Sequence, residues 1–79
     1  MNNSKKLLLR NTLIAGVINV ETSNKIKEQI FVECHLDKSK HNDRALWSAW
    51  ITGKSVPNRY CQAAINDVLV RNQLQPIYD

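Results

Sequence analysis

The stretch Leu46-Trp47-Ser48-Ala49-Trp50-Ile51-Thr52-Gly53-Lys54-Ser55-Val56-Pro57-Asn58-Arg59-Tyr60-Cys61-Gln62-Ala63-Ala64-Ile65 decides how this chain folds. Leu46, Trp47, Trp50 and Ile51 recur at the spacing of one helix face, because an α-helix turns once every 3.6 residues. Asn42 or Asp43 is the expected N-cap of that helix, since a short polar side chain can accept from an unpaired N–H. Gly53 is expected to end it, because glycine takes the left-handed C-terminal position without steric cost. Pro57 then suits the first turn of the next helix, where its missing N–H is not needed. Cys61, Ala64, Ile65, Val68 and Leu69 follow at i, i+3, i+4, i+7 and i+8, the clearest amphipathic pattern in the chain. Pro76 is expected to end this helix and leave Ile77-Tyr78-Asp79 as an extended tail.

Upstream of that stretch, Asp37 to Asp43 is polar throughout and reads as a loop. Ile26, Ile30, Phe31 and Cys34 make the apolar face of a preceding helix. Its start is expected at Thr22, Ser23 or Asn24, all favoured N-cap types. A first helix is expected from Lys5 to Asn19, with Leu9, Leu13 and Val17 on one face. The β-branched content of Leu13 to Val20 also suits a strand. The expected fold is therefore an all-α domain of four to five helices. At 79 residues it has room for a single small core, with residues 73–79 as the tail.

Composition narrows the function. The two cysteines cannot build a disulfide framework, so packing must hold the core, and a reducing cytoplasm is the simpler setting. The longest uninterrupted apolar run, Leu13 to Ile18, is far too short to span a bilayer. Charge is unevenly placed. Across residues 38–59, Lys38, Lys40, Arg44, Lys54 and Arg59 stand against Asp43 alone, and this segment carries the entire net charge of +4. A local basic excess is the footprint of a polyanion binder. A solvated, lysine-rich surface is the plainer reading of the same charge.

The quoted stretch resembles part of the Cro/repressor (Xre-like) helix-turn-helix family. There, a short recognition helix ends in an apolar-x-x-Trp-apolar-x-Gly-Lys pattern, and an Ile/Val-Pro opens the following helix. Trp47 matches the buried apolar position, Trp50 the common tryptophan and Gly53-Lys54 the terminating turn. Val56-Pro57, Cys61 and Ile65 match the helix that follows. The turn glycine ahead of the recognition helix is absent, so an extended turn is expected over 37–43. On this alignment Trp47 is core and Trp50 is partly exposed over the helix end.

The resemblance implies a sequence-specific regulator of transcription that binds double-stranded DNA as a homodimer, a repressor of phage or mobile-element type. It involves no cofactor, membrane or small-molecule substrate. The face opposite Trp47, Trp50 and Ile51 carries Arg44, Ala45, Ser48 and Ala49, the expected base contacts. Short side chains there let a helix approach base edges in the major groove. Lys38, Lys40, Thr52, Lys54, Asn58 and Arg59 are the expected phosphate contacts. Leu74, Ile77 and Tyr78 are the expected dimer contact, with folding back onto their own core as the alternative.

Competing chemistries are weaker. Cys34, His35, His41 and Cys61 are metal-ligand types, but Cys-His-x5-His is not a zinc-finger spacing. A Cys–His nucleophile pair has no oxyanion loop beside it, and the chain is small for a catalytic pocket, so no enzyme activity is expected. The alternative function is a small helical module that docks on another protein, such as a phage-encoded inhibitor of a host complex.

Overall fold

In the computed structural model of the chain, residues 20–78 are described. Among them are three helices and no strand: α1 (Val20–Glu33), α2 (His41–Thr52) and α3 (Arg59–Arg71). This corrects the four- to five-helix count for the described residues. The helix expected over Lys5 to Asn19 lies outside them. None of the described helices is long and apolar enough to cross a membrane.

α1 packs chiefly against α3. Ile26, Ile30 and Phe31 from α1 meet Cys61, Ile65, Val68 and Leu69 from α3, with Cys34 at the end of α1. Ile30, Ile65, Val68 and Leu69 have no exposed surface. Each such side chain stabilises the fold by about 1.5–3 kcal/mol relative to solvent exposure. α2 closes the core with two indoles. The Trp47 ring meets Phe31 edge-on at 5.7 Å and Trp50 at 6.3 Å. Trp47 is core, as expected. Trp50 is not the partly exposed cover of the alignment; it is 3% exposed, deeper than Trp47 at 9%.

Several helix ends differ from expectation. α1 is already helical at Val20, so Thr22, Ser23 and Asn24 sit inside it rather than capping it. α2 begins after Lys40, which makes no side-chain cap, so Asn42 and Asp43 fall in its first turn. Pro57 lies just ahead of α3, not in its first turn. The N-cap is Asn58, whose Oδ1 accepts from Cys61 N at 2.9 Å. α3 stops at Arg71, well before Pro76.

All three helices end on a left-handed residue: His35 (φ 59°), Gly53 (φ 80°) and Gln73 (φ 64°). After α1, His35 N donates to Val32 O and Leu36 N to Phe31 O. After α3, Gln73 N donates to Val70 O and Leu74 N to Leu69 O. This paired pattern satisfies orphan carbonyls and turns the next apolar residue inward. Leu36 and Leu74 accordingly pack on the core. Only Gly53 takes this conformation freely. A left-handed L-residue costs roughly 1–2 kcal/mol. Gln73→Gly should therefore stabilise the domain by about 0.5–1 kcal/mol net of glycine's greater unfolded-state entropy. A higher urea midpoint at unchanged slope is the expected readout.

The tail does not stand free. Leu74, Ile77 and Tyr78 are half-buried against their own core. Asn66 holds the tail: Oδ1 accepts from Ile77 N at 2.9 Å and Tyr78 N at 3.0 Å, and Nδ2 donates to Tyr78 O. Burial pushes the Tyr78 phenol up to about 12. Of the two arrangements considered for these side chains, the structure has the one folded back.

Candidate nucleic-acid interface

The turn ahead of α2 is built by its own carboxylates. Asp37 Oδ1 accepts from Ser39 N at 2.9 Å and Ser39 Oγ at 2.6 Å. These two bonds, the hydroxyl's first, hold the Asp37 carboxyl below its ordinary range. Lys40 N donates to Asp37 O at 3.0 Å, closing the turn. Asp43 reaches back from the first turn of α2 and accepts from Asp37 N at 2.8 Å. That bond is the reason Asp43 is not the N-cap: it fastens the loop instead. Arg44 Nη1 donates to Lys38 O at 3.0 Å, a second tie between helix and loop.

The expected base-contact residues share one side of α2. Arg44, Ala45 and Ser48 are exposed and Ala49 is half-buried. Past them, the exposed Thr52 hydroxyl donates to Ser48 O at 2.8 Å. This bond engages the only proton Thr52 could give a phosphate. Lys38 and Lys40 are exposed before α2, and Lys54, Asn58 and Arg59 after it.

Three ion pairs join the described residues. Lys38 pairs with Glu28 at 3.6 Å, and Arg71 with Glu33 at 3.3 Å and Asp67 at 3.1 Å. These are exposed pairs of small energetic value. Among the described residues, Lys40, Arg44, Lys54 and Arg59 have no carboxylate within ion-pair distance. Lys25 and Lys27 on α1 likewise make no ion pair among the described residues, and Asp37 and Asp43 stand beside the start of α2, where Lys40 acts on the Asp37 carboxylate.

The side-chain oxygen of Asn58 caps α3. Asn58→Ala should cost about 0.5–2 kcal/mol of stability, the usual value of a lost N-cap. It should leave the salt dependence of any polyanion binding unchanged, because a neutral amide releases no counterion.

Sequence reasoning missed the contacts that join α1 to α3 at this end. Tyr60 Oη donates to Glu33 O at 3.1 Å, and the Tyr60 ring stacks on His35 at 5.8 Å with 10° between planes. Asn72 Nδ2 donates to Gln29 Oε1 at 2.8 Å. No periodicity marks such pairs, because they depend on which helix faces meet. Among the described residues, no group of three or more His, Cys, Asp or Glu side chains is placed to hold a metal ion. Comparison with known proteins found no matching family model, no matching curated protein and no matching solved structure.

Proposed function

We propose that the protein is a sequence-specific regulator of transcription that binds double-stranded DNA through the exposed face of α2. The observation that carries this reading is the local excess of exposed cations around α2. Lys40, Arg44, Lys54 and Arg59, exposed around α2, lack carboxylate partners among the described residues, and Lys25 and Lys27 on α1 lack them too. Between them the α2 face offers Ala45, Ser48 and Ala49, short enough for close approach to base edges. Lys40, Lys54 and Arg59 serve the phosphates that flank the groove.

Arg44 makes the main base contact on this reading. Its bond to Lys38 O uses one N–H and steadies the guanidinium. Four of its five N–H donors remain, enough for a bidentate contact to guanine. Arg44→Ala should cost about 1–3 kcal/mol on the preferred site and relax one base position. Equal loss on every sequence would make Arg44 a phosphate contact instead.

A single short helix reads few base pairs, so the proposal includes a symmetric homodimer on an inverted repeat, with half-sites about 34 Å apart. A repressor of phage or mobile-element type is the corresponding biological role. Selecting bound sequences from a random duplex library tests affinity, specificity and symmetry together. Failure to bind any duplex at low salt would leave the protein-docking reading in its place.

A further inference from the structure

Cys34 and Cys61 are each 6% exposed and lie side by side where the end of α1 meets the start of α3. The Cys34 thiol reaches Cys61 O at 3.9 Å. Their neighbours clamp the same junction: Tyr60 bonds Glu33 O and stacks on His35. The flanking residues on both sides of Cys34 therefore touch the residue beside Cys61. Both cysteines are free in this structure. Between them in sequence lies the whole of α2.

We propose that Cys34 and Cys61 form an intramolecular disulfide when exposed to a small-molecule disulfide oxidant, closing a covalent ring that contains α2. One cysteine, as thiolate, attacks a sulfur of the oxidant and expels a small thiolate, leaving a mixed disulfide. The second cysteine attacks the protein sulfur of that mixed disulfide, forms the Cys34–Cys61 bond and expels the second small thiolate. The protein gives up two electrons and two protons; the oxidant is reduced to two thiols. Burial, and then the neighbouring Cys61, push the Cys34 thiol up to about 12. The closed fold is accordingly slow to react, because only thiolate attacks. Exchange proceeds when the α1–α3 junction opens, the slowest opening of the fold, and reclosure holds the product. The inference does not depend on what α2 binds.

The test is to equilibrate the full-length protein with reduced and oxidised glutathione at fixed ratios, with and without denaturing urea. Acid quenching and mass spectrometry then count the species. With two cysteines in the chain, a monomer that has lost two hydrogens can only be the ring. The ring should be the folded protein's end product. Its equilibrium constant should exceed that of the unfolded chain by roughly 400-fold, the chain-entropy value for a loop of this length. The thermodynamic cycle then requires the oxidised protein's folding constant to rise by the same factor, which a shift in urea midpoint reads independently. A folded-state constant no greater than the unfolded one, or a glutathione adduct as the folded end product, would overturn the proposal.

Discussion

Replacing Trp50 by alanine should cost about 3–5 kcal/mol, the usual penalty for emptying a large aromatic site in a core. Domains have roughly 5–15 kcal/mol of stability in all, and one this small belongs near the lower end. The Trp50→Ala protein should therefore be largely unfolded near its physiological temperature. Trp50 is buried deeper than Trp47 and touches it edge-on, so its loss also strips packing from the second indole. Both rings belong to the core that α2 shares with the α1–α3 pair. Circular dichroism and a urea titration check this directly. A Trp50→Ala protein that unfolds at the wild-type midpoint would put the indole on the surface, where the alignment had it.

The second large effect concerns salt. Removing Lys40, Lys54 and Arg59 together should abolish most duplex binding while leaving the fold intact. All three are exposed and none has a carboxylate partner among the described residues. Each phosphate contact releases about 0.9 counterion, so three lost contacts flatten the slope of log K against log salt by roughly 2.7. Between 50 and 200 mM salt, wild-type affinity should then fall roughly 40-fold more than that of the triple variant. Fluorescence anisotropy on one duplex over that salt range gives both slopes. Equal slopes would mean that these cations do not meet phosphates, and the α2 interface would be lost with them.

Helix faces were legible in the sequence, but helix ends were not. Periodicity picks out Ile26, Ile30 and Phe31 on α1 and Cys61, Ile65, Val68 and Leu69 on α3, because burial demands a continuous apolar stripe. Gly53 was legible because a left-handed cap has an obvious residue. Gln73 gave no such sign; α3 ends there because Leu74 gains burial by turning in, a tertiary gain invisible to local propensity. Asn58 was readable as a cap only once Pro57 was set outside the helix. Trp50 was misjudged because its burial depends on the width of the gap beneath α2, which one strand of sequence does not encode. At the candidate interface, the basic segment was plain from composition. The Arg44–Lys38 and Asp43–Asp37 ties were not, since each depends on how the 37–40 turn closes.

The two indoles have a consequence for motion. They hold α2 off the α1–α3 pair as spacers, so α2 is secured by side-chain tips rather than by close backbone approach. α1 and α3 share most of the buried core, and Gln29–Asn72 bridges them with a hydrogen bond. Local opening follows the least-held unit. In amide hydrogen exchange, α2 should accordingly be the first cooperative piece to detach, and the α1–α3 seam the last. The face proposed to meet a duplex would thus ride on the most easily released part of the molecule, and a ligand gripping α2 would first have to hold it still.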